Sequence, residues 1–149
     1  MPEEKELNVR VSRVIDAPAD AVFDAYVSPE IGKILFAADP SWNVGITCDL
    51  RVDGLWKITT GPLGAAPFVE SNRFIEIERP RRLVFKSTFA MPEGSSFVRD
   101  VEVTFADAPR GGTLMTMDHR GFPSQELRDA FAGSLPSVLD GLQRTLGSR

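Results

Sequence analysis

One histidine, one cysteine and an arginine set among apolar neighbours carry most of the chemistry this sequence offers. His119 lies near the end of the segment Thr113 to Arg120, in which Met115, Met117 and His119 share one face of a strand. Leu114, Thr116 and Asp118 share the other face. In the preceding strand segment Arg99 falls on the same face as Phe97, Val101, Val103 and Phe105. An imidazole on such a face is the candidate catalytic group, a general acid or base titrating near neutrality. A guanidinium there needs a carboxylate, a ligand or an exit to water. Two readings stand at this point. Either both residues sit at a sheet rim, the arginine snorkelling and the histidine bonding to backbone, or both are the few polar groups of an apolar pocket, orienting an acidic or carbonyl-bearing ligand.

The same inventory excludes much else. With one histidine, neither a paired-histidine metal site nor a relay through a second histidine is possible. Lone Cys48 rules out an internal disulfide framework and a multi-cysteine zinc site. It reads as a half-buried strand thiol rather than a nucleophile. No glycine loop with Lys-Ser/Thr, no Gly-rich dinucleotide fingerprint and no Gly-x-Ser-x-Gly elbow occurs. No motif calls for a metal or a cofactor.

The elements that must position these residues follow from periodicity. Residues 7–16 alternate as a half-buried strand. Asp16-Ala17-Pro18 opens a helix over Ala19 to Val27, and Ser28-Pro29-Glu30 restarts a shorter one to about Phe36. A strand over 46–52 is expected to end in an Asp53-Gly54 hairpin, with a return from Leu55 to Thr60. Further strands are predicted over Phe68–Glu78, Leu83–Phe89, Phe97–Ala106 and Thr113–Arg120. Ser124 is a plausible N-cap for a last helix whose stripe runs through Leu127, Phe131, Leu135, Val138, Leu139, Leu142 and Leu146. Pro136 inside that stripe predicts a kink or break near Gly133 to Pro136. The sum is an α+β chain: a curved antiparallel sheet around a long C-terminal helix, with two short helices after the first strand.

Parity also places Leu83, Phe85, Ser87 and Phe89 on one face, and Trp56, Ile58 and Thr60 on another shared face. These apolar sets form the helix-facing side, either as plain core or as the lining of a ligand pocket. The candidate ligand-lining set is Trp56, Ile58, Phe85, Phe89, Arg99, Val101, Met115, Met117 and His119, joined by Phe131 and Leu135 from the helix. Two methionines among aromatics favour a surface that repacks around differently shaped guests.

Charge and composition bound the setting. The chain has 149 residues with 42% hydrophobic and 26% charged, fitting one domain over 1–149 with an ordered core of about 7–147. A net charge of −4 argues against nucleic acid as partner, since phosphate binding needs a basic surplus. Arg79, Arg81, Arg82 and Lys86 cluster locally, but Glu76 and Glu78 adjoin them, and the group reads as a solvated turn between strands. No apolar run is long enough to span a bilayer. The charged start lacks a secretory stretch, so a cytoplasmic location is expected.

Several phrases, in order, resemble the START-like SRPBCC superfamily, and within it the homologues of the heat-shock-protein-90 ATPase activator. They are Ile15-Asp16-Ala17-Pro18-Ala19-Asp20-Ala21-Val22-Phe23, Asp49-Leu50-Arg51-Val52-Asp53-Gly54, the stretch from Ile75 to Phe85, and Gly112 to His119 before the amphipathic helix. The resemblance implies a helix-grip fold with an apolar cavity between sheet and helix. It also implies three function classes: binding of a small apolar or amphipathic molecule, a cyclase- or aromatase-like enzyme acting on a polyketide-like or aromatic substrate, and a chaperone-associated interaction module. Binding is the expectation carried forward.

Overall fold

The computed structural model describes residues 7–37, 39 and 41–147; the charged start at residues 1–6 lies outside them. Among the described residues the order is β1 (Asn8–Ile15), α1 (Ala19–Val27), α2 (Pro29–Leu35), β2 (Asn43–Cys48), β3 (Leu55–Gly61), β4 (Phe68–Glu78), β5 (Arg82–Ala90), β6 (Ser96–Asp107), a 3₁₀ turn at Pro109–Gly111, β7 (Thr113–Arg120) and α3 (Gln125–Gly147). All strands join one antiparallel sheet in the order β1-β7-β6-β5-β4-β3-β2. Apart from β1, each strand lies beside its sequence neighbour, as short hairpin connections require.

Local chemistry explains the helix limits. Pro18 is extended at the N-cap of α1, and Asp20 supplies a negative charge in its first turn. Ser28 caps α2, its Oγ accepting from the Ile31 N–H at 3.3 Å, and Pro29 takes the first helical position. Ser124 caps α3 in the same way, accepting from the Leu127 N–H at 3.2 Å. A helix-grip arrangement results, with the sheet curved around α3. Gly141 lets α2 and α3 approach closely, because a Cβ there would stand 2.8 Å from Cδ2 of Leu35. The sheet edges are covered: α3 lies against β1 and α2 against β2. The first contact is reinforced by an Arg13–Asp140 ion pair and by Arg128 Nε donating to the Asn8 carbonyl at 3.0 Å.

Two sequence expectations need correction. The strand expected over 46–52 is β2 at Asn43–Cys48, and residues 49–54 form a longer turn in place of a tight Asp53-Gly54 hairpin. The Asp49 N–H closes the ladder on the Leu55 carbonyl, Arg51 Nε donates to Asp49 Oδ2 at 2.7 Å, and Asp53 adopts a φ of 66°. The turn then folds onto β4, since the Asp53 N–H donates to the Phe74 carbonyl at 2.8 Å. Gly54 is required there, because a Cβ would run into the carbonyl oxygen of Asp49. The second concerns α3: of the kink or break expected near Gly133 to Pro136, the break does not occur, and the helix is continuous from Gln125 to Gly147. An interior proline costs about 3 kcal/mol, but the stripe of Leu135, Val138, Leu139 and Leu142 is buried and holds the helix to the sheet.

The basic cluster is a solvated turn of paired charges. Arg79 binds Asp24 through two hydrogen bonds, Arg81 binds Asp107, and Arg82 bridges Glu102 and Glu76. Among the described residues no helix is long and apolar enough to cross a membrane.

Candidate functional site

Strand parity is realised throughout the concave face. Leu83, Phe85 and Ser87 on β5, Phe97, Arg99, Val101, Val103 and Phe105 on β6, and Met115, Met117 and His119 on β7 are all buried. Where sheet and helix diverge, they enclose a cavity of about 570 Å³. Its wall is aromatic and aliphatic: Phe68, Phe85, Phe89 and Met117 from the sheet, and Leu127, Phe131 and Leu135 from α3. Tyr26, Phe36 and Trp42 close it from the α1–α2–β2 side. Ala130, Ser134 and Ser137 of α3 line it while exposed, so the opening lies beside this helix.

Three ionisable side chains break the apolar wall as a connected group. Arg99 Nη2 donates to Glu70 Oε1 at 2.8 Å, and Arg99 Nε donates to His119 Nδ1 at 2.9 Å. Glu70 Oε2 accepts from Asn72 Nδ2 at 3.2 Å. The Phe131 ring stands over the guanidinium, its centroid 4.4 Å from Cζ, which adds a cation–π contact from α3. Because Nδ1 accepts, the ring proton of neutral His119 resides on Nε2. Arg99 and His119 are each 3% exposed, so they belong to the cavity wall and not to the rim of the sheet. Burial, and then the Arg99 charge, push the imidazole well below its ordinary value. His119 is therefore neutral at pH 7, correcting the expectation of a group titrating near neutrality. Burial, with Glu70 adding to it, pushes the Tyr26 hydroxyl up.

Register exposes a second pattern. Trp56 of β3 faces Asn72 of β4, Asn72 faces Ser87 of β5, and Ser87 faces Arg99 of β6. These four form one transverse row across the sheet, and His119 faces the next inward position, Val101. Among the described residues, the buried side-chain polar atoms lacking a hydrogen-bond partner are Trp56 Nε1, Asn72 Oδ1, Ser87 Oγ, Arg99 Nη1 and His119 Nε2. All belong to this row or adjoin it. Native interiors leave few such atoms, so their concentration in one line marks unspent hydrogen-bonding capacity behind and within the cavity wall.

Of the residues expected to line a site, the structure brings Ile58, Phe85, Phe89, Arg99, Met117, His119, Phe131 and Leu135 to the cavity. Trp56, Val101 and Met115 lie on the expected face but do not line it. Trp56 is instead packed among Tyr26, Phe36, Phe74 and Phe85. Sequence reasoning missed Glu70, Phe68 and Trp42. The signal for the first two was alternation in β4, where Phe68, Glu70, Asn72 and Phe74 share the inward face. Cys48 is half-buried, and burial raises its thiol to about 11, away from reactivity.

A family model described as Activator of Hsp90 ATPase homolog 1-like protein matches residues 16–147. No curated protein matches the sequence. Among solved structures, an uncharacterized protein from Rhizobium leguminosarum is similar at 20% identity, covering 96% of this chain and 95% of that one, with a TM-score of 0.81. Protein CV1439 from Chromobacterium violaceum is 17% identical over 95% and 99%, with a TM-score of 0.81. Protein Ms6760 from Mycobacterium smegmatis is 18% identical over 99% and 99%, with a TM-score of 0.76. At these identities the likeness is one of fold.

Proposed function

The chain belongs to the Activator of Hsp90 ATPase homolog 1-like family, within the SRPBCC superfamily, and on that footing we propose that it binds a small amphipathic molecule between sheet and α3. The fold of this family commonly encloses a ligand cavity. One observation carries the reading for this chain: an aromatic cavity of about 570 Å³ whose wall holds buried Arg99 and His119, tied to half-buried Glu70, with two unspent donor nitrogens. That combination, an apolar container with a few fixed polar groups, is what a small-molecule site requires. The apolar body of the guest lies against Phe85, Phe89 and Phe131, and its polar atom meets Arg99 and His119. Binding is favoured over catalysis by the state of the imidazole. Nδ1 is engaged by Arg99 and Nε2 bears the proton, so His119 offers the cavity a donor in place of a free base.

Titration with Nile red, an uncharged lipophilic fluorophore, tests the reading. Saturable one-to-one binding is expected, and Ser134→Trp, which projects an indole into the opening from an exposed helix position, should weaken it at least tenfold. Absence of saturable binding to the folded wild-type protein would overturn the proposal.

A further inference from the structure

The cation in this cavity is already compensated. Arg99, with its side chain 2% exposed, is paired at 2.8 Å with Glu70, whose side chain is 17% exposed. The Nε–Nη2 edge of a guanidinium grips a carboxylate through two parallel bonds. Here that edge is spent, Nε on His119 and Nη2 on Glu70. One face of the guanidinium is covered by Phe131. Nη1 is left, buried and without a protein partner, together with the Nε2–H of His119.

From this arrangement we infer that the cavity selects by charge: its polar end takes an uncharged carbonyl oxygen, and Glu70 is the residue that rejects carboxylate amphiphiles. The inference rests on the binding role proposed above and specifies its ligand class. Among the described residues, the ionisable ones lining the cavity are Tyr26, Glu70, Arg99 and His119. With Arg99 set against Glu70 and His119 uncharged, the group carries no net positive charge to receive an anion. A carboxylate entering it brings a second negative charge beside Glu70 and loses its own hydration. A ketone or aldehyde oxygen brings lone pairs to donors that lack them, and no charge. Truncating Glu70 to an amide reverses this logic, because it leaves the Arg99 charge uncompensated in an apolar wall.

The matched probes 4-acetylbiphenyl and biphenyl-4-carboxylate, measured at pH 7.5 by displacement of Nile red, decide the matter. The wild-type protein should bind the ketone at least tenfold more tightly than the carboxylate. Glu70→Gln should shift the ratio at least tenfold toward the carboxylate, with a thermal melt confirming that the variant is folded. Should the variant fail to fold, the wild-type ratio stands as the test by itself. Equal or tighter wild-type binding of the carboxylate overturns the selection while leaving the cavity as a binding site. An unchanged ratio in folded Glu70→Gln overturns the role of Glu70. If Nile red itself does not bind, the binding reading fails, and this inference with it.

Discussion

One strand and one helix build two different interiors. Toward the end of β6, Val103 and Phe105 meet Met115, Leu83 and Ile15, and α1 adds Val22 and Phe23; each is at most 1% exposed. The Phe23 and Phe105 rings stand 5.3 Å apart, and Leu139 and Leu142 of α3 are equally buried. About 20 Å back along the same strand, six residues away, Arg99 faces α3 where that helix offers Phe131, Ala130 and Ser134. There the interior stays open. The difference is a third layer: α1 covers one end of the concave face and ends at Val27, just after Tyr26, whose ring touches Trp56 and also lines the cavity. The filled end supplies stability, and the open end holds the cavity.

Mutation should separate the two ends. Phe105→Ala in the filled end should cost about 3–5 kcal/mol in urea denaturation, the range for a buried phenyl whose loss leaves a cavity. Phe131→Ala in the open end should cost only about 1–2 kcal/mol, since its ring is half-buried beside existing space. The same change should weaken Nile red binding about tenfold, as expected for an aromatic contact at the centre of a site. Equal stability losses at the two positions would remove the distinction.

A smaller effect comes from pH. The folded His119 value lies well below 6.5, so the unfolded chain takes up a proton at higher pH than the folded one. Stability from this group is complete above its unfolded value and falls as pH drops below about 6.5. His119→Gln should flatten that part of the profile in parallel urea titrations. Asp24 acts lower in the scale: Arg79 holds its carboxyl below the usual value, and the stability it contributes is lost as pH falls through and below 3.8. A profile with no slope between pH 7 and 5.5 would contradict a neutral, buried His119.

Much of this was legible in the residues. The limits of α1, β4 and β7 follow from caps, turn residues and alternation, and parity placed Arg99 and His119 inward. Parity names a face, however, and not a depth along the strand. That is why Val101 and Met115 were grouped with Met117 although only the last lines the cavity. Glu70 was hidden for a different reason. The inward set of β4 alternates aromatic with polar, while Val69, Ile75 and Ile77 compete for the opposite phase, and a bulge between Phe74 and Glu76 shifts the register. Trp42 lies between α2 and β2, where no period applies and only tertiary packing against Phe68 places the ring. The alternative of a break at Pro136 came from propensity, which burial of the surrounding stripe overrode.

The ladder from Asn8↔Arg120 to Ile15↔Thr113 gives the molecule an order of assembly. A ribosome delivers β1 early, yet its partner strand appears more than a hundred residues later. Strands β3 to β6 meanwhile each meet the one just made, closing short loops at small entropic cost. During that interval the backbone edge of β1 has no partner strand. The cavity comes last of all. His119 arrives with β7 and Phe131 with α3, so the cavity wall is complete only when the gripping helix has been made.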